Sequence, residues 1–218
     1  MTKVAVILSG CGVSDGSEIH ESVLTLLALD REGVEYQCLA PNKECAVVNH
    51  LTHKPTGEKR NILTESARIA RGKVLDLAQA SADEYGAAFL PGGFGAAKNL
   101  CTYAQDEAKC EVEPSLRKFL VALHRAGKPI GAICIAPVIL ARVFGTNGSP
   151  KLTIGTDPKT ANHIEAMGAE HFSCPVDDTC IDRENRMVTT PAYMLAKNVA
   201  EAARGIDKLV GEVLRLMR

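Results

Sequence analysis

The 218-residue chain has no tryptophan and only 4% aromatic residues, too few flat rings to build a stacking platform for single-stranded nucleic acid. It also lacks an excess of charge of either sign. Twenty-five Lys and Arg stand against 26 Asp and Glu, a net charge of -1, so neither nucleic acid nor an anionic membrane finds an electrostatic footprint. No apolar run approaches the roughly 18 residues that a membrane-spanning helix needs. Eight cysteines are present without a single C-x-x-C pair, and several lie inside apolar runs. They read as free thiols of a reducing compartment, not as a disulfide framework. The start, MTKVAVILSG, runs into an expected strand almost at once and leaves no room for a signal or transit peptide. The expectation is a cytoplasmic protein.

What is present is the alternation of an α/β protein. Val4 to Leu8 is a continuous apolar run closed by Ser9-Gly10, as in a strand covered on both faces. A helix is expected over about Ser17 to Glu32, with Ser17 as its cap and Ile19, Val23, Leu26 and Leu27 on its inner face. Val34 to Leu39 is the next strand. The stretch from about 42 to 77 is polar and turn-rich and reads as an insertion holding a small hairpin. Ala87 to Leu90 is a strand running into Pro91-Gly92-Gly93-Phe94-Gly95, and Pro114 to Ala126 is a helix leading to a strand over Pro129 to Cys134. The last helix is expected from Leu195, through Val199, Ala202, Ile206 and Leu209 to Val213. Strands alternating with helices along the whole length imply one α/β domain, a mostly parallel sheet between helical layers.

The most informative residue is Cys134, in the run GAICIAPVIL, where an apolar strand ends and a helix pattern begins directly. A thiol on such an elbow faces the amide groups that open the next helix, an arrangement that favours thiolate over thiol. The N–H of the following residue, Ile135, then points to where negative charge would develop on a carbonyl oxygen. A buried core cysteine is the competing reading.

Two glycine loops stand at strand ends. Gly10-Cys11-Gly12 with Gly16 resembles a dinucleotide fingerprint, but the second strand ends in Cys38-Leu39-Ala40-Pro41-Asn42 without the carboxylate that would hold a ribose. It reads better as a loop carrying Gly12 and delivering Glu18 to a site, with Cys11 and His20 flanking it. Gly92-Gly93-Phe94-Gly95 lets backbone N–H groups approach a substrate, Gly93 being the expected second oxyanion donor. It lacks the Lys-Ser/Thr of a phosphate loop. His50 and His53 have no further ligand at metal spacing, so no metal site is expected.

Taken together, the GAICIAP elbow, the early glutamate and the PGGFG loop resemble the PfpI/ThiJ superfamily, within the class I glutamine-amidotransferase-like fold. SGCGVSDGSEIHE, LPGGFGAAKNL, GTD near Gly155 and VTTPAYMLA near Val188 are similar to its ElbB subgroup and span nearly the whole chain. The resemblance implies a flavodoxin-like three-layer sandwich, usually homodimeric, with Cys134 as nucleophile and Glu18 as its carboxyl partner. It also implies a cofactor-independent glyoxalase, a lyase acting on glyoxal or another small dicarbonyl substrate, and an association with isoprenoid biosynthesis. A redox-sensing or interaction protein with an oxidisable low-pKa Cys134, or a deglycase, are the alternatives. Two departures stand out. Ile135 occupies the place where many members carry His, and Thr189-Thr190-Pro191-Ala192-Tyr193 lacks the late histidine and acid of an amidotransferase triad.

Overall fold

In the computed structural model, which describes residues 2–218, β1 (Val4–Ile7) is buried along its whole length. It sends Ala5 and Ile7 to one core and Val4 and Val6 to another, as a strand covered on both faces must. α1 (Ile19–Arg31) follows the first glycine loop, and β2 (Tyr36–Ala40) pairs parallel to β1. β3 (Glu44–Asn49) and β4 (Lys54–Asn61) form an antiparallel hairpin outside the main sheet. α2 (Ile62–Ile69) then leads to β5 (Val74–Asp76), which pairs parallel to β2. The segment expected as an insertion therefore holds an external hairpin and, at its far end, the edge strand of the main sheet.

The chain continues through β6 (Ala88–Leu90), α3 (Phe94–Lys98), α4 (Tyr103–Asp106), α5 (Pro114–Arg125), β7 (Ile130–Ile133) and α6 (Pro137–Gly148). After these come β8 (Lys151–Leu152), α7 (Pro158–Ala166), β9 (Glu170–His171), β10 (Cys180–Asp182), β11 (Met187–Thr190) and α8 (Val199–Leu216). The seven-stranded sheet has the order β10-β11-β7-β6-β1-β2-β5 and is parallel except at β10. Leu116, Leu120 and Leu123 of α5 and Ile139 of α6 cover one face, while Leu29 of α1, Ile62 of α2 and Ile206, Leu209 and Val213 of α8 cover the other. This is the flavodoxin-like three-layer sandwich. Its β1, β6, β7 and β11 end on the same side, so the loops after them converge there.

Two helices depart from the sequence reading. α8 starts at Val199, capped by the Asn198 side chain, and Ala192–Met194 before it forms a separate 3-10 turn. α1 is turned relative to its apolar pattern: Ile19, Val23 and Leu27 are 42%, 47% and 38% exposed, and its buried face carries Glu21, Ser22, Thr25, Ala28 and Leu29. The hydroxyls tolerate burial because they bond within the helix, Ser22 Oγ donating to the Glu18 carbonyl and Thr25 Oγ1 to the Glu21 carbonyl, both at 2.7 Å. Its cap is Glu18, whose carboxylate accepts from the Glu21 N–H. Ser17 instead turns back to β1, its Oγ accepting from the Ser9 N–H at 2.8 Å.

Candidate active site

β7 ends at Ile133, and Cys134 makes the corner with φ +61°, a left-handed conformation that costs an ordinary residue roughly 1–2 kcal/mol. Its own N–H is anchored to the Thr190 carbonyl at the end of β11, 3.0 Å away. Cys134 is 8% exposed, and the Gly93 and Ile135 backbone N–H groups favour the ionised form of its thiol. The two N–H groups expected to face developing negative charge thus converge on Cys134. Gly93 reaches this position with φ +89°, and a Cβ there would lie 2.4 Å from the Glu18 nitrogen.

The carboxyl group against the thiol is that of Glu21. Its side chain stands against Cys134, raising that thiol's cost of ionising, and Oε2 accepts from the Gly92 N–H at 2.9 Å while Oε1 accepts from the Tyr193 N–H at 3.3 Å. A Cβ on Gly92 would stand 2.6 Å from Cys134 Cβ and 2.8 Å from Glu21 Oε2, so the glycine is what lets thiol and carboxyl meet. Glu18 is one turn away. It borders the same cavity, caps α1 and lies 3.9 Å from His20 Nδ1. His20 in turn meets the Tyr193 hydroxyl at 2.8 Å, on the exposed flank of the site.

Electrostatics reverse one expectation. The two N–H bonds do pull the Cys134 thiol toward ionisation, but burial and then the Glu21 charge outweigh them, and the thiol is pushed well above its ordinary value. Burial, with the Glu18 charge second, likewise raises the Glu21 carboxyl to about 8. The resting site is a neutral pair, a thiol beside a carboxyl group that loses its proton near pH 8. Such a pair can take or return a proton when a carbonyl carbon arrives at sulfur.

Cys134, Glu18, Gly93 and Ile135 floor a cavity of about 390 Å³. Val13, Phe94, Ala97 and Met194 make its walls apolar, while Tyr103, Glu107, Lys159 and His163 stand at the side formed by α4 and α7. The volume falls in the range of small-molecule sites.

A human protein, glutamine amidotransferase-like class 1 domain-containing protein 3, mitochondrial, is 45% identical over 98% of this chain and 83% of its own. The rat ES1 protein homolog, mitochondrial, is 43% identical over 98% of this chain and 84% of its own. The chain belongs to the ES1 family of glutamine amidotransferase-like class 1 proteins. No family model matches it. Among solved structures, the isoprenoid biosynthesis protein with amidotransferase-like domain from Ehrlichia chaffeensis is 39% identical with a TM-score of 0.90, covering 98% of this chain and 99% of that one. Glyoxalase III from Candida albicans shares the fold, with a TM-score of 0.63 at 14% identity over 99% of this chain and 97% of its own. The expectation of a cytoplasmic protein is overturned by the curated ES1 relatives, which are named mitochondrial.

Within this ES1-family site the elbow, the PGGFG loop and Glu18 meet as the motifs suggest, but Gly12 and Cys11 do not reach the thiol. A Cβ on Gly12 would lie 2.5 Å from His50 Nε2, and Cys11 lines a different cavity with Asp15, Cys45 and His50 against the hairpin. His50 and His53 hold that loop: His50 Nε2 accepts from the Ser14 N–H at 3.2 Å, and His53 Nδ1 bonds the Ser14 hydroxyl at 3.3 Å. Sequence reasoning missed Glu21, although its signal is present as a second carboxylate three residues after Glu18, on the same helical turn as Ser22 and in line with Thr25. It also could not place His163, which α7 carries to the cavity. Nothing local in the sequence marks that meeting.

Proposed function

We propose that this protein is a cofactor-independent glyoxalase in which Cys134 attacks a small dicarbonyl and Glu21 carries the protons. The observation that supports this reading best is the closed set around one sulfur: a carboxyl group poised near pH 8, and two backbone N–H groups, all on a thiol that borders a cavity. Attack forms a bond from sulfur to one aldehyde carbon of glyoxal. The thiol proton passes through Glu21 to the carbonyl oxygen, whose developing charge the Gly93 and Ile135 N–H groups stabilise. Glu21, in the form that has lost its own proton to solvent near pH 8, then removes the proton on that carbon and returns it to the neighbouring carbon through an enediol, leaving a thioester. Water cleaves the thioester to the 2-hydroxy acid and regenerates the thiol. One carbon is oxidised and its neighbour reduced, so the electrons balance within the substrate. Glu18, at the same floor, biases the Glu21 proton through its charge.

The carboxyl group of Glu21 beside the sulfur, able to take the thiol proton as a carbonyl carbon arrives, favours this reading over an oxidation sensor. The fold shared with glyoxalase III supports the scaffold, and the names of the ES1 relatives support a mitochondrial setting. The deciding experiment is acid production from glyoxal by purified protein without glutathione, compared with Cys134→Ser and Glu21→Gln. Turnover lost in both variants, with the fold intact by circular dichroism, is expected. Turnover that survives in Cys134→Ser would sink the proposal.

A further inference from the structure

Glyoxal has only four heavy atoms and would fill a small part of a cavity of about 390 Å³, so the remaining space invites a longer substrate. The walls are apolar, and the polar groups away from the thiol are grouped on α4, the turn after it, and α7. Lys159 Nζ lies 2.7 Å from Glu107 Oε1, and His163 Nε2 lies 3.6 Å from Glu107 Oε2. One carboxylate therefore already sits between two nitrogen groups, one oxygen to each. His163 is fixed for this from behind, its Nδ1 bonded to the Tyr103 hydroxyl at 2.9 Å with the rings packed edge to face. The His163 side chain is 17% exposed, whereas that of Glu107 is 53% exposed and hangs from a backbone with φ +50°. His163 is thus the held partner, and the Lys159 side chain, 70% exposed, follows whichever carboxylate His163 faces.

We infer that Lys159 and His163, the latter positioned by Tyr103, form a carboxylate subsite that Glu107 occupies when the cavity is empty, and that the substrate is an α-oxoaldehyde bearing a carboxylate on a short apolar stem. The aldehyde end reaches Cys134, the stem lies along Phe94, Ala97 and Met194, and the substrate's carboxylate displaces Glu107. The exchange is one carboxylate for another and leaves no cation uncompensated. Glu107, swung into water, restores its own hydration. This inference names the substrate class for the proposed glyoxalase and rests on that reading for the chemistry, but not for the anion site.

The test uses two pairs of probes on the full chain. The first pair is 4,5-dioxopentanoate and its methyl ester as substrates. Wild type is expected to prefer the acid over the ester by about tenfold in kcat/KM, an energy of about 1.4 kcal/mol. Lys159→Met brings that ratio close to one, and Glu107→Gln, which removes the competing anion, lowers KM for the acid severalfold while moving the ester little. The second pair, iodoacetyl-γ-aminobutyrate and its methyl ester, reads the subsite through the rate of Cys134 alkylation and needs no turnover. The same preference, lost in Lys159→Met and increased in Glu107→Gln, is expected. Equal rates for acid and ester in alkylation, or a ratio unmoved by both variants, overturn the inference whatever the turnover. Absence of any dicarbonyl turnover together with acid-selective alkylation overturns the glyoxalase reading alone. Arg142→Gln, outside the cavity lining and bonded to the Cys110 carbonyl, controls for loss of positive charge as such.

Discussion

Replacing Glu21 by Gln should trade activity for stability, and the trade should depend on pH in a way the structure fixes. In the unfolded chain the Glu21 carboxyl ionises near 4.5, whereas in the folded protein burial and Glu18 hold it neutral up to about 8. The folded state therefore carries the extra proton between these values, and stability falls as pH rises from 4.5 to 8, then levels off. The full gap corresponds to roughly 5 kcal/mol, and about 4 kcal/mol of it is in force at pH 8. Gln cannot ionise, so it escapes this loss. It also gives up one acceptor: its oxygen can keep the Gly92 N–H, but its NH2 then faces the Tyr193 N–H, an unmade buried hydrogen bond worth about 2 kcal/mol. The two stability curves should cross, with Glu21→Gln less stable than wild type by about 1 kcal/mol at pH 5 and more stable by about 2 kcal/mol at pH 8. Urea unfolding followed by circular dichroism at pH 5, 6.5 and 8 measures this directly. Parallel curves with a constant offset would refute the reasoning, because they would mean that Glu21 ionises alike in both states.

Three further outcomes are expected. Cys134 alkylation by iodoacetamide should accelerate as pH rises toward about 8, where Glu21 becomes a base, and this rise should be absent in Glu21→Gln; an identical profile in the variant would separate Glu21 from the thiol. Gly92→Ala should wedge a methyl group between Cys134 and Glu21 at under 3 Å from both, lowering stability by about 2 kcal/mol and the alkylation rate at least tenfold, read by unfolding and by mass spectrometry. Because Cys134 holds φ +61°, Cys134→Gly should be about 1 kcal/mol more stable than Cys134→Ala by urea unfolding, the reverse of the usual order of these residues.

The sheet and the elbow were legible because they are written locally. Val4 to Leu8 and the run into Cys134 are continuous apolar segments ended by a turn, and both are buried strands in a parallel sheet. The Gly93 and Ile135 donors followed from the same elbow geometry. α1 was legible as a helix but not in its orientation, since Ile19, Val23 and Leu27 suggest an inner face and the structure buries Glu21, Ser22 and Thr25 instead. Periodicity reads hydrophobicity, and here the buried face is defined by a carboxyl group held by loops 71 and 172 residues away in sequence. The α4 and α7 side of the cavity was invisible for a related reason. Tyr103 and His163 are 60 residues apart, and only the packing of the layers brings them together.

The two glycine loops also divide the cavity into a floor that cannot be edited and a rim that can. Cβ atoms at Gly16, Gly92, Gly93 and Gly95 would all strike neighbours at 2.6 Å or less: backbone of its own loop at Gly16, the Cys134 side chain at Gly92, and the first loop at Gly93 and Gly95. The loops around the sulfur thus leave no room for a side chain, and natural drift or a mutagenesis library has almost no vocabulary there. At the rim, Glu107 and Lys159 project toward solvent, where most side chains fit, beside the packed pair of Tyr103 and His163. Anyone seeking to redirect this scaffold to a new carbonyl compound should therefore randomise the rim and leave the loops untouched.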